Sequence, residues 1–135
     1  MLGLFLLAAL ALLGIDLLMG KLATDPSSAT WPRNPVAATA ESRGIGKGLY
    51  GQWCAECHGQ EGWGDGVRSR EFPADTDLSS HVLAHPSGFL YQWITEGGGQ
   101  GMPAFKDQFS DQERWHLVNF IRTFGESSLF GVHAH

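Results

Sequence analysis

The segment from Cys54 to Gly66, CAECHGQEGWGDG, holds both cysteines of the 135-residue chain, and the architecture follows from what they hold. A disulfide between Cys54 and Cys57 would close only a tiny loop and constrain nothing distant, so a structural disulfide framework is excluded. Three chemistries use two thiols three residues apart with a histidine beside the second. A thioredoxin-like redox pair needs a βαβ setting, and the sequence shows none. A zinc site needs four ligands, and His58, adjacent to Cys57, cannot easily reach the same tetrahedral ion. In covalent haem attachment, each thiol adds to one vinyl group of the porphyrin and the following histidine is placed to coordinate the iron. No further cysteine is available to build a different site, and the residues favour one covalently bound haem c.

Haem iron in an electron carrier wants a second strong ligand. The stretch GGGQGMPAF, residues 97–105, supplies Met102, the one methionine outside the apolar N-terminal segment. Its glycines let the backbone come close to a porphyrin face, and Pro103 restricts the chain just after it. A thioether opposite histidine raises the reduction potential, because soft sulfur favours ferrous iron. His81, His85 and His116 are the competing sixth ligands and would give a low-potential bis-histidine site. Arg68 and Arg70 are candidates to pair with haem propionates. Trp63, Phe72, Trp93 and Phe105 are expected as pocket walls.

GKGLYGQWCAECHG (46–59), GMPAF (101–105) and RWHLVNFIRTF (114–124) occur in that order. Together they resemble a class I cytochrome c over about Glu41 to Gly125. The resemblance implies an all-α fold wrapped around one haem, with Cys54 and Cys57 as thioethers, His58 as proximal and Met102 as distal iron ligand. It also implies a helix crossing of Gly46 and Tyr50 against Leu117 and Phe120, where a side chain at Gly46 would push the helices apart. Related bacterial cytochromes often read GDGP where this chain has GDGV, Gly64 to Val67. In that family the proline carbonyl accepts the Nδ1 hydrogen of the proximal histidine. Here Val67 or Pro73 is the candidate acceptor.

The surrounding sequence agrees with a helical, cofactor-completed domain. Glycine is heavy at 18 residues, while five tryptophans and eight phenylalanines supply large apolar side chains. A small domain often needs a metal, disulfide or cofactor to complete its core. ESRGIGKGLYGQW (41–53) places Ile45, Leu49 and Trp53 at four-residue spacing, one face of a helix leading into the cysteines. PSGFLYQWITEGG (86–98) predicts a short helix ending at Gly97. Ser110 to Glu113, SDQE, is a capping box that opens a last helix, which Gly125 is expected to end. No stretch alternates like a strand.

Residues 1–22, MLGLFLLAALALLGIDLLMGKL, are apolar except for Asp16 and Lys21. At about 1.5 Å per residue such a helix spans roughly 30 Å, a bilayer core. A cleavable signal peptide wants a basic leading region, and none is present. A retained single-pass anchor is the expectation, with the haem domain on the periplasmic or outer side, although Lys21 stands against the positive-inside rule in that orientation. Asp16 is read as reaching headgroups or a neighbouring membrane subunit. Residues 23–40, with three prolines among small residues, read as an extended linker. The tail at 126–135, with His133 and His135, is expected to fray.

A net charge of −5 makes nucleic acid an unsuitable partner. From Glu41 onward there are seven Lys or Arg against twelve Asp or Glu. That balance opposes a lysine-ringed docking face and favours a basic partner surface or fixed docking in a complex. The functional expectation is a membrane-anchored monohaem carrier passing single electrons within or between respiratory or photosynthetic complexes, with redox protein partners and no small-molecule substrate or catalytic residues. The alternative is a haem enzyme or gas-binding sensor in which the distal ligand leaves the iron.

Overall fold

Thr39 starts the first helix, its hydroxyl accepting from the Ser42 N–H at 3.1 Å. The computed structural model describes residues 30–71, 76–98 and 101–129. The proposed anchor at 1–22, linker residues 23–29, Phe72, Pro73 and the tail from 130, with His133 and His135, lie outside the described residues. Among the described residues no helix is long and apolar enough to cross a membrane.

Among the described residues four α-helices follow in order: α1 (Ala40–Trp53), α2 (Ala55–His58), α3 (Ser87–Glu96) and α4 (Asp111–Leu129). Two short 3₁₀ turns, Ser69–Glu71 and Val82–Ala84, lie between α2 and α3. Isolated bridges join Trp63 to Asp77 and Gly98 to Met102, and no strand occurs among the described residues. The all-α expectation holds. α3 stops where read, the Gly97 N–H capping the Trp93 carbonyl. The capping box of α4 is formed: Ser110 N–H donates to Glu113 Oε2 at 2.8 Å and Glu113 N–H to Ser110 Oγ at 3.3 Å.

The core is built on the crossing of α1 over α4. A Cβ at Gly46 would stand 2.2 Å from the His116 carbonyl oxygen and 2.7 Å from Phe120 Cβ. The bare glycine is thus what allows the two backbones to touch, with His116 and Phe120 nearest to it. Tyr50 lies edge-on to Phe120 and Phe124, with ring centroids 5.3 and 5.1 Å away. The face that α1 buries is therefore Ser42, Gly46 and Tyr50. Of the face read from the four-residue spacing, Leu49 packs against the core, whereas Ile45 and Trp53 are 42 % and 48 % exposed. Close helix approach selects small residues at the contact and leaves larger apolar ones beside it.

Ser42, His116 and Asn119 form a buried polar set at the crossing. Asn119 Nδ2 donates to Ser42 Oγ at 2.9 Å, and Ser42 Oγ is hydrogen-bonded to His116 Nδ1 at 2.8 Å. Asn119 also accepts from Asn34 Nδ2 at 2.7 Å and donates to the Val36 carbonyl at 3.1 Å. Residues 31–39 lack helix, as their prolines require, yet they pack onto the domain instead of hanging free. Trp31 meets Phe89 edge-on at 5.2 Å, and Pro32 lies over Gly88. The described residues from Trp31 onward form one compact unit.

The last helix also departs from expectation. It passes through Gly125 to Leu129. A Cβ at Gly125 would meet Leu83 Cγ at 2.5 Å, so this glycine makes room for the Val82–Ala84 turn and does not terminate the helix.

Candidate haem site

Cys54 closes α1 and opens α2. Its N–H donates to the Tyr50 carbonyl at 2.9 Å, and its carbonyl accepts from Cys57 N–H at 3.1 Å and His58 N–H at 2.9 Å. Cys54, Cys57 and His58 therefore stand at i, i+3 and i+4 of one helical turn, where side chains share a face. Gly59, at φ +79°, ends that turn in the left-handed region that suits glycine. Its carbonyl accepts from the buried Tyr50 hydroxyl at 2.7 Å, which ties the thiol-bearing turn to the core.

His58 Nδ1 lies 2.7 Å from the Thr76 carbonyl. A carbonyl only accepts, so Nδ1 carries the proton and Nε2 keeps a free lone pair for a metal. The carbonyl that orients His58 is therefore that of Thr76. Val67 is 86 % exposed, and Pro73 lies outside the described residues. Thr76 is held by a turn that Asp77 closes, its Oδ1 accepting from Ser79 N–H at 2.8 Å and Ser79 Oγ at 2.7 Å. The Asp-Leu-Ser-Ser run was the available signal for that turn. It could not show that the preceding carbonyl meets a histidine 18 residues earlier.

Burial pushes the His58 imidazole below its ordinary value; the bond to Thr76 opposes this, and the field of His81 adds to it. The neutral form, which is the ligating form, is thus favoured. Burial, reinforced by Cys57, pushes the Cys54 thiol up to about 12. Burial also raises Cys57. Redox-active thiol pairs depend on a depressed thiolate pKa, and this environment does the reverse. It suits uncharged thioethers.

Both cysteines and His58 line a cavity of about 1140 Å³. Met102 lines the same cavity from the 97–105 loop. That loop is set by Gly98 N–H donating to the Met102 carbonyl at 3.1 Å and Phe105 N–H to the Ile94 carbonyl at 3.0 Å. The structure thus brings together the four residues singled out from the sequence. The remaining walls are largely apolar or aromatic: Trp53, Leu78, Phe89, Trp93, Phe105 and Leu117 among them. Trp93 and Phe105 are where they were expected; Trp63 is not, and lines a separate groove. Trp53 went unrecognised as a wall because its spacing suggested a helix core position.

His81 and His85 also face the cavity, the latter stacked on Phe89 at 4.3 Å. His116 is taken up by Ser42 at the helix crossing and leaves the set of candidate ligands. Arg68 reaches the rim but is paired with Glu71 at 2.9 Å and Glu56 at 3.6 Å; Arg70 is exposed and does not line the cavity. Among the described residues no group of three or more His, Cys, Asp or Glu could hold a bare metal ion, which leaves the zinc reading without a ligand set. A large apolar cavity, two thiols and a histidine on one turn, and a thioether on another segment fit a haem.

Residues 43–121 match the family described as Cytochrome C oxidase, cbb3-type, subunit III. The chain belongs to this c-type cytochrome family. No curated protein sequence matches it. Among solved structures, the cytochrome is similar to a chain of the Kuenenia stuttgartiensis reducing HAO-like protein complex Kustc0457/Kustc0458, with 29 % identity and a TM-score of 0.59. That match covers 67 % of this chain and 46 % of the other, so the cytochrome spans less than half of that relative's length. It is also similar to the KustC0563 c-type cytochrome, with 26 % identity and a TM-score of 0.52, over 58 % of this chain and 95 % of that one. The cytochrome carries covalently bound haem c, as its family and its c-type cytochrome neighbour imply.

Proposed function

We propose that this cytochrome is a membrane-anchored, class I monohaem electron carrier. In this reading Cys54 and Cys57 hold the haem as thioethers, His58 Nε2 is the proximal ligand and Met102 sulfur the distal one. The observation that carries it is the convergence of these four side chains on one apolar cavity. When bound, the haem supplies a ferric/ferrous couple. Thr76 fixes the His58 tautomer, the aromatic walls exclude water, and Met102 raises the potential.

The apolar run at 1–22 supports a single-pass anchor with the haem domain on the periplasmic or outer side, and the family's description supports a subunit of a respiratory complex. Residues 31–39 are fastened to α3 and α4. Purification in mild detergent tests the placement: the protein partitions with membranes and brings redox subunits with it. A freely soluble monomer from cells expressing the full chain contradicts it.

Replacing Met102 with alanine tests the ligand set. The reduction potential falls, and the reduced protein acquires carbon monoxide binding that the parent lacks. If neither property changes, Met102 is not the distal ligand. A parent protein that binds carbon monoxide at once supports the other reading, a haem enzyme or gas sensor. Similarity to a chain of the reducing HAO-like protein complex lends that reading some support.

A further inference from the structure

The thiol-bearing turn also borders a second concavity. A groove of about 520 Å³ runs between the end of α1 and the 59–67 loop, lined by Gly51, Gln52 and Ala55 on one side and Trp63 and Val67 on the other. Trp63 is 42 % exposed and Val67 86 % exposed. Three carboxylates, Glu56, Glu61 and Asp65, line it as well. Glu56 is partly balanced by Arg68 at 3.6 Å, which also serves Glu71 on the flank. Glu61 and Asp65 form no ion pair among the described residues. No lysine lines the groove. An apolar centre with an acidic rim is the anatomy of a transient protein interface.

The groove also borders the haem site. Glu56 lines both concavities. Gly66, in the groove wall, lies directly on the backbone of Glu56 and Cys57: a Cβ there would stand 2.4 Å from the Glu56 carbonyl oxygen and 2.7 Å from the Cys57 carbonyl carbon. A molecule seated in the groove is therefore separated from a haem-bearing cysteine by little more than one glycine and one peptide. The deficit of basic residues from Glu41 onward, seven against twelve acidic, extends the same charge over the domain.

We propose that this groove is the docking surface for a redox protein that presents basic side chains around an apolar patch. The inference rests on the electron-carrier reading and names the partner chemistry for it. The acidic rim steers the basic face in and sets its register, while Trp63 and Val67 supply the apolar contact.

The test uses the haem-loaded protein and a lysine-rich soluble cytochrome c as the probe. Backbone amide shifts are followed on titration in about 0.01 M salt and again in about 1 M, where the Debye length falls from about 30 Å to about 3 Å. Shifts are expected to cluster at Gly51–Glu56 and Gln60–Val67 and to vanish in high salt. The exposed pair Glu61→Lys with Val67→Lys should weaken binding by on the order of tenfold. Asp107→Lys, an exposed acid away from the groove, should leave it unchanged. Shifts that cluster elsewhere, or a double variant that binds like the parent, overturn the assignment. An oxidation arm separates the two levels. A parent that exchanges electrons with small cationic and anionic reagents but fails the mapping refutes only the docking surface. One that exchanges with neither refutes the carrier reading and the inference with it.

Discussion

Replacing Gly46 with alanine sets two effects of opposite sign against each other at one atom. Alanine is favoured over glycine in a helix interior by about 1 kcal/mol. Against that, the new methyl would stand 2.2 Å from the His116 carbonyl oxygen, 2.8 Å from its carbon and 2.7 Å from Phe120 Cβ. Two of those three atoms are backbone, and no rotamer change relieves them. Because non-bonded carbon contacts settle near 3.5–4.0 Å, α1 and α4 must part by roughly 1 Å. That movement loosens the Tyr50–Phe120 ring contact and stretches the Ser42–His116 hydrogen bond, which lie in the same crossing. Overpacking costs about 1–3 kcal/mol, and a contact on backbone belongs at the upper end. The net loss is then about 2 kcal/mol. At about 4–8 °C per kcal/mol for a domain of this size, Tm falls by about 8–16 °C. Gly48 provides the internal control: it lies in the same helix with nothing within 4 Å of its Cβ direction. Gly48→Ala should gain up to about 1 kcal/mol from propensity alone. The assay is thermal and urea unfolding of the haem-loaded protein, followed by far-ultraviolet circular dichroism. If the two alanine variants agree within about 0.5 kcal/mol, the close crossing of α1 and α4 is not what fixes glycine at position 46.

Asn119→Leu removes the amide bonded to Asn34, Ser42 and the Val36 carbonyl, and stability should drop by about 2 kcal/mol in urea titration; an unchanged midpoint refutes the role of Asn119 in fastening residues 31–39. In the double variant Cys54→Ala with Cys57→Ala, pigment should pass into acidified organic solvent, whereas in the parent it stays with the polypeptide. Pigment retained by the double variant shows that these thiols are not the attachment points. Glu113, held below its ordinary value of 4.5 by hydrogen bonds from the Ser110 hydroxyl and backbone N–H, titrates lower in the folded state than in the unfolded one. Its contribution is therefore complete above about pH 4.5 and lost as pH falls through the folded value. Glu113→Gln should lower Tm at pH 7 and converge with the parent in acid; a constant difference across that range rules out the carboxylate as its source.

Much of the candidate site was legible because its chemistry is local. Cys54, Cys57 and His58 share one helical turn, so their spacing alone puts them on one face whatever the rest of the chain does. The capping box at Ser110–Glu113 and the stop at Gly97 were legible for the same reason, since each is complete within four residues or so. Met102 needed more, as its place in the cavity depends on a distant loop, but its chemistry and the glycines around it marked it out.

Other features became visible only when segments met. The acceptor for His58 is a backbone carbonyl, which every residue possesses, so no side-chain pattern could mark Thr76. Gly125 looks like a helix stop in sequence and is a packing notch for Leu83 in space. His116 resembles an iron ligand until Ser42 and Asn119 are seen to occupy its end of the crossing. Residue type and short spacing were enough to establish which atoms can bond to a haem, because covalent and coordinate chemistry belongs to the side chains themselves. Which faces are buried and which carbonyls receive hydrogen bonds emerged in three dimensions, because both depend on distances between segments far apart in the chain.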